Sequence, residues 1–169
     1  MEKYLPGTLS TFDDPKMFDS YKKMIQTTDG LSLNQICKIT KLEPHMIQNW
    51  VKRGYIPHPQ KKKYYVKHLA RILLINALRQ CINIENISSL MCYINGNVDD
   101  ESDDIITEED LYKLFSNIIF KLNNFENIEK LVDDEVKNSK LAKAMKAMVY
   151  AYASSMMKSK SNNYLSTLI

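Results

Sequence analysis

The sequence predicts an all-α protein, and three observations carry that prediction. Apolar side chains recur at helical spacing over most of the chain. Helix-start signals (Ser32, Pro44, Asn83, Thr107 and Ser139) recur between those runs. Glycine and proline are scarce, four and five in 169 residues, which argues against collagen-like, linker-rich or many-turned all-β chains. So little glycine also leaves almost nothing from which to build a phosphate-cradling loop. A chain of this length buries roughly 70% of its unfolded surface, so neither disulfides nor metals are needed to hold a core.

The elements read in order as follows. Asp14-Pro15 is a helix start, with Met17, Phe18, Tyr21, Met24 and Ile25 at helical spacing to about Thr27, and Asp29-Gly30 is a turn. Residues 1–30 thus form an N-terminal helical segment against the core. Ser32 caps a short helix whose Leu33, Ile36, Cys37 and Thr40 share a face. After the tight connection Lys41-Leu42-Glu43, Pro44 opens a second helix that turns Ile47, Trp50 and Val51 inward and stops at Gly54. Pro57 and Pro59 preclude a helix in YIPHPQKKKYY, leaving an extended loop or a small hairpin. Val66 to Cys81 is apolar nearly all round, the pattern of a helix sandwiched between two layers. Asn83 caps a helix to about Ile94, and NGNVDDESDD is an exposed acidic loop. Thr107 to Asp110 resembles a capping box opening a helix to about Leu122. Helices follow over residues 125–137 and from Ser139 to about Lys158, with a loose tail over 159–169. In the last helix Leu141, Met145, Met148, Val149, Tyr152 and Met156 form one stripe. That stripe either pairs two chains in a homodimer or packs within its own chain against the 66–81 helix.

The net charge of +3 conceals a segregation. Residues 31–80 hold ten basic side chains and one acid, Glu43, whereas residues 81–138 hold four basic and fourteen acidic ones. Residues 139–169 hold five lysines and no acid. Fifty residues at +9 are an electrostatic footprint for a polyanion, unless the segment folds against the acidic block and is neutralised there.

The second helix of the basic segment is the place to look for that polyanion. Its outward set is His45, Gln48, Asn49, Lys52 and Arg53, and no acid lies within it. Such a face can enter a phosphate-lined groove, with His45, Gln48 and Asn49 toward base edges and Lys52 and Arg53 at the groove margin. Lys61, Lys62, Lys63 and the hydroxyl of Tyr64 are then candidates for backbone phosphates. Lysines offer point charges rather than forked recognition, so positioning is their expected role.

Two short helices, a tight turn, a basic loop and a long helix describe a winged helix-turn-helix. Residues 31–94 resemble the MerR-type version, and the chain from about Tyr4 to Tyr93 is similar to the bacterial family called domain of unknown function 1836 (DUF 1836). The carrying pieces are Lys41-Leu42-Glu43-Pro44, Ile47 with Trp50, Arg53-Gly54-Tyr55-Ile56-Pro57, Lys63-Tyr64-Tyr65 and Ile84-Glu85-Asn86-Ile87. The resemblance implies a DNA-binding fold but neither ligand nor operator. Gln48 and Asn49 replace the arginine and aromatic usual in MerR-type recognition helices, so that family's base contacts do not carry over. Gln and Asn instead favour adenine N6 and N7, pointing to A·T-containing half-sites. The hairpin lacks the usual Asn-Gly turn and Tyr65 replaces a serine N-cap, which implies a distorted or shortened wing. Residues 105–158 resemble a small helical bundle rather than the long coiled coil of MerR regulators.

Enzymatic chemistry finds no footing, so no catalytic residue, cofactor or metal ligand is assigned. His45, His58 and His68 lack metal-ligand spacing, with His58 expected to be exposed. Cys37 and Cys81 read as core thiols, and Cys92 has no activating base. Asp99, Glu101, Asp103 and Asp110 approach calcium-loop spacing, but Asp104 stands where glycine is required and the terminal Glu is absent. No run approaches the ~20 apolar residues of a membrane span. The N-terminus lacks an apolar secretory segment and no C-x-x-C pair occurs, so the expected location is the cytoplasm and no membrane partner is expected. The expected function is a regulator that binds double-stranded DNA, its small-molecule effector unspecified. The alternative is a protein-interaction adaptor that uses the acidic block and the methionine stripe.

Overall fold

A computed structural model describes residues 4–11, 14, 16–98, 102, 104–123 and 125–168. Among these residues it is all-helical: α1 (Met17–Thr27), α2 (Leu33–Thr40), α3 (Pro44–Lys52), α4 (Val66–Leu78), α5 (Ile84–Asn95), α6 (Glu108–Lys121), α7 (Ile128–Glu135) and α8 (Ser139–Ser166). Extended pairing is confined to the isolated bridges Tyr4–Thr11, Leu31–Tyr64 and Gln60–Lys63.

The helix starts follow local chemistry. Pro15 lies outside the described residues, but Asp14 accepts the N–H of Lys16 on its carboxylate at 2.8 Å and leads into α1. Ser32 and Gln35 form a reciprocal capping box on α2. Asn83, Thr107 and Asn138 accept the N–H groups of Asn86, Asp110 and Leu141 at the starts of α5, α6 and α8.

The central helix is α4, which packs against α1, α2, α5, α6 and α8. Leu69, Ile72, Leu73, Leu74 and Leu78 lose all exposure there, the sandwiching expected from its unbroken apolar run. The core continues through Phe18 of α1, Ile47 of α3, Phe115 of α6 and Met145 of α8. Tyr112 of α6, fully buried, donates its hydroxyl to the Pro6 carbonyl at 2.7 Å and so ties the N-terminal turn to the back of the molecule.

Three boundaries or burials differ from the sequence expectation. Helix α4 ends at Leu78, so Cys81 is an exposed thiol rather than a core one, while Cys37 is half-buried. Helix α7 begins at Ile128 because Phe125 and Asn127 adopt left-handed φ values of 60° and 56°, which no helix can include. Helix α8 runs to Ser166 instead of yielding to a loose tail after Lys158, since neither Gly nor Pro interrupts the segment. The methionine stripe is consumed internally: Met145, Met148 and Val149 are fully buried as α8 packs on α4, α5, α6 and α7. Packing within its own chain, against α4 among others, is one of the two arrangements expected of the stripe.

Candidate nucleic-acid interface

The surface formed by α3 and the loop that follows it is assembled from contacts near and far. Ile47 and Trp50 anchor α3, with Trp50 only 6% exposed. Opposite them His45, Gln48, Asn49 and Lys52 are exposed. The helix stops where Gly54, at φ +72°, turns the chain into a conformation side-chain-bearing residues rarely adopt.

Two buried polar residues of α4, one turn apart, hold the next stretch in place. Arg71 donates from Nε to the Tyr55 carbonyl at 2.7 Å, and its Nη1 meets the Glu108 carboxylate at the start of α6. His68 accepts the Tyr65 N–H on Nδ1 at 3.0 Å, which leaves Nε2 to donate to the His58 carbonyl at 3.2 Å. That pair of bonds requires the neutral ring protonated on Nε2. The angle between α3 and the loop is therefore fixed from beneath.

The loop itself closes as a tight hairpin. Gln60 and Lys63 exchange backbone hydrogen bonds of 3.1 and 2.8 Å, and Tyr64 exchanges two of 2.8 Å with Leu31 ahead of α2. The two residues at the tip, Lys61 and Lys62, both have positive φ, 47° and 62°. This is the type I′ arrangement, which Asn-Gly normally occupies because left-handed backbone costs an ordinary side chain about 1–2 kcal/mol per residue. The hairpin is short because Pro57 and Pro59, on its outgoing limb, have no N–H with which to extend the ladder.

Between α3 and the hairpin lies a cleft of about 620 Å³ rimmed by Gln48, Lys52, His58 and Lys62. The structure thus brings together one polar residue of the α3 face, one helix lysine and one tip lysine. His45 and Asn49 stand on the same helix outside the cleft rim, and Lys61 extends from the tip. Lys63 is half-buried.

Two of the expected contact residues have intramolecular partners of their own. Tyr64 is 4% exposed, with its ring edge-on to His68 at 5.7 Å, and burial raises its hydroxyl pKa. Its ring belongs to the core, and the residue lines the wall of the cleft rather than the hairpin tip. Arg53 is partly spent: it pairs with Glu85 of α5 at 2.8 Å and lies 4.8 Å over the Tyr55 ring.

Lys52, Lys61 and Lys62, by contrast, meet no carboxylate among the described residues. Several acids of residues 81–138 are engaged by cations outside the basic segment. Glu109 accepts from Lys22 and Lys113, Glu135 from Lys121, and Asp133 from Lys146. From the basic segment itself, Arg53 pairs with Glu85 and Arg71 with Glu108. The acidic block therefore does not cover Lys52, Lys61 or Lys62 among the described residues.

Sequence reasoning missed His68 and Arg71 as organisers of this surface. The signal was present: a histidine and an arginine three residues apart on a helix otherwise apolar all round must find buried partners. Asp99, Glu101 and Asp103 of the acidic loop lie outside the described residues. Among the described residues no group of three His, Cys, Asp or Glu side chains is placed to hold a metal ion. None of the helices is long and apolar enough to cross a membrane, among the described residues.

The chain belongs to the family described as a domain of unknown function (DUF1836), whose model matches residues 19–115. That window starts later and runs further, into α6, than the Tyr4–Tyr93 resemblance read from motifs. The chain is also similar to the uncharacterized protein YkrK of Bacillus subtilis (strain 168), at 24% identity over 144 residues. The match takes in 79% of this chain and 61% of that protein, so the chain spans less than two thirds of this relative's length. No solved structure matches the chain.

Proposed function

We propose that this member of the DUF1836 family binds double-stranded DNA through a MerR-like winged helix-turn-helix and acts in transcription regulation. In this reading α2 and α3 are the helix pair and the Gln60–Lys63 hairpin is the wing. The observation that carries it is the set of exposed lysines, Lys52, Lys61 and Lys62, standing without carboxylate partners among the described residues, beside an acid-free polar face of α3. Positive charge left unpaired on two flanks of one cleft is matched by a phosphate ridge.

Helix α3 then enters the major groove and presents Gln48 and Asn49, with His45, to base edges; both amides suit adenine. Lys52 and the lysines of the wing fix register on the backbone without reading sequence. The adaptor alternative used the acidic block and the methionine stripe, and burial of Met145 and Met148 leaves it less to use.

The test is a salt titration of binding to a mixed-sequence duplex. The four lysines Lys52, Lys61, Lys62 and Lys63 set the slope of log K against log salt near roughly −4. Replacing Lys61, Lys62 and Lys63 together by alanine should weaken binding to every sequence and reduce that slope by roughly 2–3. A slope near zero for the intact protein overturns the proposal.

A further inference from the structure

A second cleft, of about 690 Å³, shares no residue with the first. Its walls are the N-terminal turn, the link between α2 and α3, the end of α4 and the exposed stretch of α8 beyond the core. The N-terminal turn is seated tightly: Gly7, at φ +80°, lies so close to α4 that a Cβ there would come within 2.3 Å of the Leu73 carbonyl oxygen. Asn76 buckles the walls together. Its amide donates to the carbonyls of Gly7 at 2.8 Å and Thr40 at 3.1 Å, and its oxygen accepts from Nε of Arg79 at 2.8 Å. The guanidinium is thereby oriented by a side chain that is itself anchored twice.

Three cations converge on this cleft, Lys41, Arg79 and Lys158, and among the described residues none that lines it is acidic. None of the three forms an ion pair among the described residues. Complementing a helix dipole accounts for a cation after α2 and another after α4. It does not account for Lys158, which stands inside α8, turns short of its end at Ser166. Nor does it account for Asn76, which already satisfies the Thr40 carbonyl at the end of α2. The volume falls in the range of ordinary small-molecule sites.

We propose that this cleft binds a small phosphorylated metabolite, its phosphate groups held by the fork of Arg79 and the point charges of Lys41 and Lys158. An oriented guanidinium matches phosphate oxygens two at a time, and two ammonium groups supply the remaining countercharge. The wall formed by Leu9, Tyr152 and Met156 accepts the less polar part of the molecule. Lys41 occupies the left-handed link that leads into α3, so an occupant touches the segment that orients that helix. The binding site itself does not depend on α3 entering DNA.

Thermal melts and titration calorimetry with pyrophosphate test this on the full chain. At roughly a hundredfold excess over Kd, pyrophosphate should raise Tm by about 5–10 °C. Arg79→Gln and Lys158→Gln should each weaken pyrophosphate binding by roughly tenfold or more, with Arg79→Lys recovering part of it. Both glutamine variants alter exposed side chains, and unchanged melts without ligand establish that they fold. A hairpin variant, Lys61→Asn with Lys62→Gly, should bind pyrophosphate like the parent. Absence of a Tm rise in the parent, or an equal rise in Arg79→Gln, overturns the proposal. So does a loss confined to the hairpin variant. The salt slope on duplex DNA, measured in parallel on Arg79→Gln, reports the DNA-binding reading separately.

Discussion

Lys61 and Lys62 stand at positive φ with no carboxylate in reach among the described residues, whereas Lys113, Lys121 and Lys146 each touch at least one and each joins two helices. Lys113 bridges Asp19 of α1 and Glu109 of α6, Lys121 reaches from α6 to Glu135 of α7, and Lys146 from α8 to Asp133 of α7. The same residue type therefore does two kinds of work in one small protein. In the back half, charge is spent on holding helices together, at the modest value of about 0–1 kcal/mol per partly exposed pair. In the front half, charge is left unspent and its backbone is held in a conformation that costs stability. Unspent charge on strained backbone marks a surface selected for what it meets rather than for the fold.

The contact where the two halves meet gives the largest expected effect. Arg71 holds the front through the Tyr55 carbonyl and the back through Glu108, with its own side chain 3% exposed. Arg71→Met strands that carboxylate and should cost about 3–5 kcal/mol, read as a fall in the urea midpoint. The double change with Glu108→Met should recover much of the loss. If Arg71→Met alone is neutral, the halves are not coupled through this pair.

The hairpin sharpens the comparison in the opposite direction. Lys61→Asn with Lys62→Gly supplies the residues a type I′ turn prefers, and should raise stability by about 1–2 kcal/mol while weakening DNA binding. Stability and affinity moving in opposite directions separates a functional tip from a structural one. If both rise or both fall, the lysines are not held there for a polyanion.

Glu85 offers a smaller test. Hydrogen bonding to backbone and to Arg53 holds its pKa below the ordinary carboxylate value, so it stays charged beside the interface at neutral pH. Glu85→Gln releases Arg53 and removes that charge, and DNA affinity should rise by about two- to fivefold, measured at fixed salt. An unchanged affinity would place Arg53 outside the interface.

The smallest effect belongs to the back half. Burial opposes the charged form of Glu109, but hydrogen bonds from Lys113 and Lys22 outweigh it and hold the pKa below 4.5. A carboxylate with a depressed folded pKa adds stability that is complete above its unfolded pKa and is lost as pH falls through the folded value. Urea midpoints taken between pH 6 and pH 3 should therefore fall less steeply for Glu109→Gln than for the parent. DNA affinity at neutral pH should not change with this substitution.

Much of this organisation was legible beforehand, and the legible part was local. Ser32, Pro44, Asn83 and Thr107 mark helix starts because each acts on N–H groups within its own first turn. The polar face of α3 followed from spacing around Ile47 and Trp50, since one buried edge of a helix fixes the other. The hairpin tip was harder. Two lysines carry no turn signal, and the neighbours that hold them at positive φ are Leu31, more than thirty residues away, and the base clamped by His68.

The sequence by itself determined the helical class, most helix limits and which side of α3 faces water, because capping and periodicity operate over a few residues. Tertiary structure alone decided that Tyr64 turns inward, that the methionine stripe closes on its own chain, and that Asn76 ties two distant carbonyls to Arg79. Those outcomes depend on which surfaces meet across long stretches of chain. A periodic pattern states that a face must be covered, and only packing settles what covers it.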